Sequence, residues 1–574
     1  MAANNQQIAA IFDEVADLLD IQGENPFRIR AYRNAGRLLR GLKDEAANLI
    51  KAGRDLSELP GIGADLAGKI REIVDTGSVE ILRRLRRELP AGLVELLRIP
   101  GLGPKRAKLL HDELGITGLA DLQKAAASGR LRQLKGLGPK TVERLRAGLK
   151  QQQETGKRLT LLEAAPYVRG LLRHMRAVRG VGKVDVAGSY RRGRETIGDI
   201  DLVATAENAP QAIAAFVAFP DVAEVTAQGS TRATVMLRGG VQADLRVVAP
   251  ESYGAALYYF TGSKAHNIAV RQRAQRRGLK INEYGVFKGA RRVAGETEES
   301  VLAAVGLPYI PPELREDRGE IDAAEKGPLP ALVRRSDLRG DLHAHTTASD
   351  GQDSLNDMAA AGRAKGLEYL AITEHTRRLT VTHGLDSRRL GRLCDAIDRL
   401  NEKQGGCTLL KGIEVDILED GRLDLPDSAL EQLDLVVGAV HSHFELPAPK
   451  QTARLLRAMD HKHFSILAHP TGRLLRQREM SRFDIDRVIG AAKDRGCFLE
   501  INSQPDRLDL ADIYCKTAKA AGVLMSIGSD AHSTAQLDFL EFGVLQARRG
   551  WLEKADILNC RSLQRLRPLL ARTM

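Results

Sequence analysis

The spacing of apolar and polar residues divides this chain into three regions. Residues 1–150 have the spacing of helices, interrupted by repeated glycine turns. Between residues 183 and 250 short β-type runs follow, namely VDVAG, IDLVAT, RATVML and VQADLRVV. From Leu338 onward, apolar strands alternate with helical stretches, which is typical of parallel βα units. The pattern predicts an all-α region, then an α+β region, then an α/β region.

A segment without apolar periodicity precedes the third region. It reads YIPPELREDRGEIDAAEKGPLPALVRRSD and is rich in proline and charged residues. This composition favours a linker, which we place at residues 316–337. We expect the linker to permit several arrangements of the domains that it joins.

Composition indicates the type of partner and the compartment. The net charge of +12 and the pI near 9.4 indicate a polyanionic partner such as nucleic acid. The five cysteines form no CxxC pair, so we expect reduced core residues in a cytosolic protein. No apolar run reaches the length of a membrane span, and MAANNQQIAA has no signal-peptide pattern. We therefore expect a cytoplasmic protein that does not bind membranes.

Three similar glycine turns interrupt the helical region, in LPGIGA, IPGLGP and LKGLGP. The glycines allow a tight turn, and the helix that follows offers free N–H groups to a phosphate. Such turns also join packed helices in other proteins, but three copies in a basic region favour contacts with a DNA backbone. They resemble helix-hairpin-helix motifs, whose candidate DNA-binding residues are Gly61, Gly63, Gly101, Gly103, Gly136 and Gly138.

Lys69 lies on the helix predicted after the first of these turns. Arg28, Tyr32 and Arg33 precede it in PFRIRAYRNA. An amine whose pKa is lowered by neighbouring cations can form a Schiff base with a sugar aldehyde. The alternative is a lysine that contacts phosphate or is simply solvated.

The stretch GSYRRGRETIGDID, residues 188–201, combines a phosphate cradle with a pair of carboxylates. Its Gly-Ser turn leaves backbone N–H groups free beside three arginines. Asp199 and Asp201 begin a predicted strand two residues apart, so both carboxylates face the same way. Asp244, on the predicted strand VQADLRVV, is the best candidate for a third carboxylate. This arrangement suits metal-assisted phosphoryl transfer, whereas a lone Asp-x-Asp would favour a solvated hairpin end.

These motifs resemble the core of family X DNA polymerases. GSYRRG and GDID, the third aspartate, YFTGSKAHN and INEYGVF occur in the order of that family, over residues 1 to about 315. The resemblance implies that Asp199, Asp201 and Asp244 are catalytic and hold two Mg or Mn ions. It also implies that Lys69 stands where lyase members keep their Schiff-base lysine.

The resemblance further implies a set of nucleotide contacts. The β- and γ-phosphates would be held by Gly188, Ser189, Arg192 and Gly198. The sugar pocket, the minor-groove edge of the base and the template side would be contacted by Tyr259, Phe260, Gly262, Asn267 and Arg271.

Two positions depart from the pattern common in eukaryotic members. Ile197 stands where a serine is frequent, so one phosphate contact is missing from the expected set. Lys264 stands where an acidic residue is frequent, and we hypothesise that this cation tightens dNTP binding.

Ten of the thirteen histidines lie beyond residue 338, and their placement is regular. Predicted strands end repeatedly in ligand-type residues, in DLHAH, AITEH, KGIEVD, GAVHSH, ILAHP, LEINS and SIGSDAH. Ligands at the carboxyl ends of successive parallel strands converge at one mouth of a barrel. A single such histidine is usually a satisfied core or surface residue, but this many predict a metal centre.

DLHAHTTASDG, TEH, HP and SDAH resemble the PHP family of metal-dependent phosphoesterases, over residues 338–574. The resemblance implies a distorted βα barrel with a polynuclear site. Its nine ligand positions would be His343, His345, Asp350, His375, Glu414, His441, His469, Asp530 and His532. Imidazole with carboxylate suits Zn or Mn, whereas the all-oxygen polymerase site suits Mg or Mn. Asn502 could contact the substrate or a bound water.

Together the two resemblances imply a bacterial-type family X polymerase that fills short gaps in DNA repair. The expected domains are a lyase-like domain (1–85), helix-hairpin-helix fingers (86–150), a nucleotidyltransferase palm (151–250), a thumb (251–315) and a PHP domain (338–574). We expect a monomer that binds gapped or primed DNA and dNTPs, with a 3′–5′ exonuclease in the PHP domain. Abasic-site or 3′-phosphate processing stays open. So do two alternatives: a DNA-binding scaffold that delivers a nuclease, and a PHP domain that acts on a small phosphate ester.

Overall fold

The computed structural model describes residues 5–42, 45–59, 61–90, 92–97, 102–134, 142–143, 145, 158–378, 382–403 and 405–574. Contacts divide the chain into two compact units, residues 1–157 and 158–574. Each unit has a hydrophobic core of its own.

The first unit is helical, as its apolar spacing predicted. Phe12 and Tyr32 pack edge to face at its centre, with ring centroids 5.5 Å apart. The side chain of Asn25 accepts a hydrogen bond from the Phe27 N–H and so begins the second helix. The described helices are Asn5–Gln22, Pro26–Gly41, Ala46–Lys51, Ala64–Thr76, Glu80–Glu88, Gly92–Leu96, Pro104–Leu114 and Leu119–Ala127, with short 3-10 turns at Leu56–Glu58 and Arg130–Gln133.

The second unit begins with a mixed sheet in the fully described stretch 158–378. The order of its five strands is β2-β4-β7-β6-β5, and β4 and β7 run parallel. Along β7 buried and half-buried residues alternate, so the apolar residues face the core and Asp244 lies on the opposite face. The strands are β1 (Leu159–Thr160), β2 (Val181–Val186), β3 (Thr196–Ile197), β4 (Asp199–Ala206), β5 (Val222–Gln228), β6 (Arg232–Leu237) and β7 (Val241–Val248), with helices Leu161–Arg176, Gly188–Arg191 and Ala209–Val217.

A smaller α+β subdomain follows this sheet. Its strands β8, β9 and β10 form an antiparallel sheet in the order β10-β9-β8. They span Lys280–Asn282, Gly285–Lys288 and Arg291–Ala294, with helices Tyr253–Thr261, Lys264–Arg276 and Glu298–Ala304.

The segment 316–337, which we expected to be an open linker, is packed against its neighbours. It contains the helix Glu320–Lys326. The side chain of Glu320 is fully buried and lies 2.7 Å from His266 Nδ1, while its carboxylate accepts the N–H groups of Asp317 and Arg318. Proline and charge suggested a solvated segment, but these charges have buried partners that the local sequence does not reveal.

The C-terminal part forms a nearly closed parallel barrel. Its seven strands, all within described residues, follow the order of the chain from β11 to β17. A parallel bridge between Ala344 and Ala531 links the segments that follow the first and the last strand, and the predicted distorted βα barrel is confirmed. The strands are β11 (Gly340–Asp341), β12 (Tyr369–Ile372), β13 (Thr408–Asp416), β14 (Leu435–Ala439), β15 (Ile466–Leu467), β16 (Phe498–Asn502) and β17 (Met525–Gly528).

Helices cover the outside of this barrel. They are Leu355–Ala364, Ser387–Lys403, Asp427–Leu430, Ala448–Met459, Ile485–Arg495, Asp512–Ala521, Leu540–Arg549 and Leu563–Leu570. All five cysteines are buried and free. Among the described residues, no helix combines the length and the apolarity needed to cross a membrane.

Candidate active sites

Three carboxylates meet where β4 pairs with β7. The parallel register places Asp201 directly opposite Asp244, and Asp199 lies two residues earlier on the same strand. One oxygen of each carboxylate lies within 4.8 Å of the others. Asp244 accepts hydrogen bonds from Thr234 Oγ1 (2.5 Å) and Gln242 Nε2 (2.7 Å), which hold it in place.

The electrostatics of this cluster favour a cation. Burial, together with the charges of Asp199 and Asp244, raises the pKa of Asp201 to about 7. Burial and then Asp244 also raise the pKa of Asp199. A divalent ion among these oxygens would relieve both effects, so the three residues fit the oxygen-liganded metals that the sequence predicted.

The phosphate turn lies against these carboxylates. Gly188 has a φ of +61°, and a Cβ at this position would lie 2.1 Å from Asp201 Oδ2. The next residue, Ser189, has a buried hydroxyl with no hydrogen-bond partner within the described residues. Such a hydroxyl is available to a ligand, since buried polar groups are rarely left unsatisfied. Gly198 leaves room for Arg158, because a Cβ there would lie 3.0 Å from its Nη1.

The predicted nucleotide residues of the thumb lie beside this turn. Arg192 Nη1 donates a hydrogen bond to the carbonyl of Thr261, just before Gly262. Tyr259 and Phe260 form an edge-to-face pair with ring centroids 5.2 Å apart. Behind them, the Asn267 side-chain N–H donates to the Tyr259 carbonyl (2.8 Å), and Arg271 Nε donates to the Asn267 carbonyl (3.3 Å). The structure thus gathers the turn and the thumb residues, while Lys264 is exposed at the start of its helix.

In the N-terminal unit, Lys69 forms an ion pair with Asp65. Arg28 and Arg33 have carboxylate partners of their own, since Arg28 pairs with Glu24 and Arg33 pairs with Asp17 and Asp20. Lys69 and Arg28 nevertheless both act on Tyr32: burial raises the pKa of this phenol, and the charges of Lys69 and Arg28 lower it. The Schiff-base role of Lys69 stays a prediction.

The glycine turns are described in part. Gly61 has a φ of +85°. Gly63 and Gly103 each precede the first residue of a helix, as the motif requires. Gly101, Gly136 and Gly138 lie outside the described residues.

Nine predicted metal ligands converge at the carboxyl ends of the barrel strands. Eight of them form three overlapping groups in which the ligand atoms lie within 4.8 Å of one another. The groups are His345 with Asp350, His375 and His532; His343 with His345 and Asp530; and His375 with Glu414 and His441. The ninth residue, His469, places Nε2 2.9 Å from Glu414 Oε1.

Several buried atoms of this cluster make no hydrogen bond of acceptable geometry with a described residue, although most of them approach other polar atoms. They are His343 Nε2, His345 Nδ1, His375 Nδ1, His469 Nδ1 and Glu414 Oε2. Glu414 Oε2 lies 2.8 Å from His375 Nδ1 and 3.5 Å from His343 Nε2. Imidazole nitrogens that surround a buried carboxylate in this way form a donor set that fits a metal ion.

Family models match most of the chain. Their descriptions are a helix-hairpin-helix domain (3–79), a SAM-like helix-hairpin-helix tandem (93–151), a DNA polymerase beta palm (162–241), a DNA polymerase beta thumb (256–316) and a PHP domain (341–504). A relative from Bacillus subtilis (strain 168), DNA polymerase/3′-5′ exonuclease PolX, is 35% identical over 573 residues, which is 99% of this chain and 100% of the relative. This chain belongs to the family X DNA polymerases with a PHP domain.

More distant relatives share a smaller part of the chain. A probable phosphatase of Thermoanaerobacter sp. (strain X514) is 29% identical over 38% of this chain and 89% of its own length. Another, from Caldanaerobacter subterraneus subsp. tengcongensis, is 32% identical over 33% of this chain and 75% of its own length.

The PHP centre of this family X polymerase includes acidic residues that the sequence analysis did not select. Glu500 Oε1 lies 2.7 Å from His343 Nδ1, and its other oxygen accepts the His469 N–H (2.8 Å). Asn502, for which the sequence predicted a contact with the substrate or a bound water, donates its side-chain N–H to Asp530 Oδ2 (3.0 Å). Glu500 could have been found, because it alternates with Asn502 on strand β16 and so faces the same way.

Asp416 is a second such residue. It lies 3.0 Å from His441 Nδ1 and follows Glu414 by two positions on β13. Burial disfavours the charged imidazole, but Glu414 and Asp416 raise the pKa of His441 to about 9. A metal ion there would have to displace a proton, and Asp416 would orient the ring.

Ile197, which stands where a serine is frequent in eukaryotic members, packs in an apolar environment in this family X polymerase. Ile197 is buried in an apolar cluster with Leu161 and Leu508. Leu508 lies between strands β16 and β17 of the barrel, so this position packs between the palm and the barrel.

Proposed function

We propose that this chain fills short gaps in DNA with dNTPs. The primer 3′-OH would attack the α-phosphate of a dNTP, and pyrophosphate would leave. The observation that carries this proposal is the register of β4 and β7, which sets Asp201 opposite Asp244 beside the Gly188 turn. Bound Mg or Mn would neutralise charge that develops on the phosphate oxygens.

Different residues would hold the metal ions and bind the triphosphate. Asp199, Asp201 and Asp244 would hold the ions. The free hydroxyl of Ser189 and the guanidinium of Arg192 would bind the β- and γ-phosphates and so orient the triphosphate.

The polymerase proposal has a direct test. The wild-type protein should extend a primer across a short gap, and Asp244→Asn should abolish extension while DNA binding persists. A wild-type protein that binds gapped DNA without extending it would support the alternative of a scaffold that delivers a nuclease.

The PHP centre would act as a 3′–5′ exonuclease. Its nine ligand residues would hold Zn or Mn, and bound metal would lower the pKa of water to give a hydroxide for attack on phosphorus. Glu500 and Asp416 would orient His343 and His441.

A basic cleft beside this centre favours a long phosphodiester over a small phosphate ester. Arg454, at its base, donates to the carbonyls of Ile417, Leu418 and Ser442, which follow Asp416 and His441 in the chain. The cleft measures about 690 Å³ and carries four exposed cations against Glu419 and Asp420; the cations are Arg378, Arg422, Lys450 and Arg457. Cations in a groove can hold the backbone of a single strand whose end reaches the metals.

Two substrates distinguish an exonuclease from an enzyme that acts on a small phosphate ester. Labelled single-stranded DNA with Mn should be shortened stepwise, and Arg457→Gln should slow this about threefold or more while leaving bis(p-nitrophenyl) phosphate hydrolysis unchanged. Arg567→Gln, an exposed change on the helix Leu563–Leu570, is the matched control. Hydrolysis of the small ester without any shortening of DNA would contradict the exonuclease proposal.

A further inference from the structure

The turn that follows the phosphate-binding helix rests on the PHP domain. Gln546 Nε2 donates to Glu195 Oε1 (2.9 Å), and Arg473 forms two hydrogen bonds with the same carboxylate, at 2.6 and 3.3 Å. Gly193 has a φ of +63°, and a Cβ there would lie 3.4 Å from side-chain carbons of Leu545. The backbone of the turn is therefore held against the PHP domain.

Arg549 of the PHP domain reaches Arg192 itself. Its Nη1 donates to the Arg192 carbonyl (2.9 Å) and to Glu316 Oε1 (3.0 Å), and its Nη2 donates to Asp512 Oδ2 (2.6 Å). Arg192 Nε donates to the same oxygen of Glu316 at 3.1 Å. The side chains of Arg549, Glu316 and Arg192 are 1%, 12% and 13% exposed. A largely buried carboxylate is thus shared between an arginine of each domain.

The charges of this network do not cancel. Arg318 Nη1 lies 3.0 Å from Asp512 Oδ2, and Arg194 Nη1 lies 4.0 Å from Glu316 Oε1, so four arginines face two carboxylates. Arg192 Nη2 makes no hydrogen bond with any described residue, because its contacts use Nε and Nη1. Two of these arginines, Arg192 and Arg194, belong to the turn that would bind the triphosphate, and Arg192 keeps its free donors there.

We propose that Arg549 is a positioning residue of the polymerase site, through which the PHP domain sets the affinity for the incoming dNTP. The inference rests on the proposed role of Arg192 in phosphate binding. Arg549 supplies part of the positive charge that Glu316 attracts. Arg192 therefore contacts Glu316 through Nε alone, and its Nη2 edge stays free. Without Arg549, Glu316 would have Arg192 (3.1 Å) as its closest remaining cation, ahead of Arg194 (4.0 Å), and would draw the Arg192 guanidinium away from the triphosphate.

Steady-state gap filling with a single dNTP tests this proposal. Arg549→Met should raise the KM for the dNTP about tenfold, with a smaller change in kcat, and Arg549→Lys should fall between this variant and the wild type. Arg548→Gln is the matched control, since Arg548 pairs with Glu313 (2.7 Å) and should keep the wild-type KM.

Two double variants exclude a merely structural role. Adding Glu316→Gln to Arg549→Met removes the attraction on Arg192 and should return the KM towards the wild-type value. Adding Arg549→Met to Arg192→Ala should change the KM less than about twofold, since the two residues act as a unit. Retained exonuclease activity reports that each variant is folded.

The outcomes separate this inference from the proposed function. If the wild-type protein fills no gap, the proposed function fails. If it does, a wild-type KM in Arg549→Met overturns the inference alone. A KM that stays fully elevated when Glu316→Gln is added to Arg549→Met would also overturn the inference.

Discussion

Replacing Gly188 with alanine should inactivate the polymerase site and spare the PHP site. A carbon and an oxygen normally stay about 3.3 Å apart, but the new Cβ would lie 2.1 Å from Asp201 Oδ2. The carboxylate oxygen must therefore move by about 1 Å. A displacement of this size at a reacting centre can cost about 100-fold in rate.

The same substitution has a second, separate cost. Gly188 has a φ of +61°, a left-handed backbone conformation in which alanine lowers the free energy of unfolding by about 1–2 kcal/mol. Gly278→Ala is the matched control for this cost, because Gly278 has a φ of +68° and a Cβ there would meet no atom within 4 Å. Gly278→Ala should show this loss of stability alone, and the large loss of rate should be confined to Gly188→Ala.

Single-turnover gap filling, thermal unfolding and exonuclease assays on the two variants provide the test. We expect gap filling to fall about 100-fold or more for Gly188→Ala, with exonuclease activity unchanged. Near-wild-type gap filling by Gly188→Ala would refute the close approach of Gly188 to Asp201. An equal loss in Gly278→Ala would show that backbone strain, not the displaced carboxylate, explains the effect.

Three further predictions address the two centres. Glu500→Gln should weaken Mn activation of the exonuclease about 10–100-fold, since it orients His343, without changing gap filling; an unchanged Mn titration would contradict this. Thr234→Val should lower the rate of gap filling about tenfold, because Asp244 loses a hydrogen bond, and a wild-type rate would contradict it. The raised pKa of Asp201, about 7, means that the metal-free fold loses stability as pH rises from about 4 towards 7. Asp201→Asn should therefore raise the melting temperature of metal-free protein at pH 8 and not at pH 4, whereas equal shifts at both would count against this cause.

The site residues that follow local periodicity could be predicted from the sequence. Asp199 and Asp201 are two residues apart on one strand, and such a spacing sets both side chains on one face whatever the rest of the fold. The histidines follow successive apolar strands, and parallel strands bring their carboxyl ends together. The barrel and the clusters of candidate ligands could therefore be expected before any coordinates were known.

The connection between the domains could not be predicted in this way. Arg192, Glu316, Asp512 and Arg549 lie far apart in the chain, and their pairing depends on how the domains pack. Segment 316–337 suggested an open linker for the same reason, because the residues that pair with Glu316 and Glu320 are distant in the chain or are not recognisable as partners from the sequence. Glu500 differs, because its alternation with Asn502 on β16 was visible in the sequence.

One chain would carry two independent catalytic centres, one that extends DNA and one that shortens it. A 5′-labelled primer in a gapped duplex, incubated with Mg or Mn and with or without dNTPs, reports both activities on one gel. Asp199→Ala should shorten the primer but never extend it, and His343→Ala should extend it but never shorten it. Loss of both activities in either variant, or shortening that survives His343→Ala, would contradict the account.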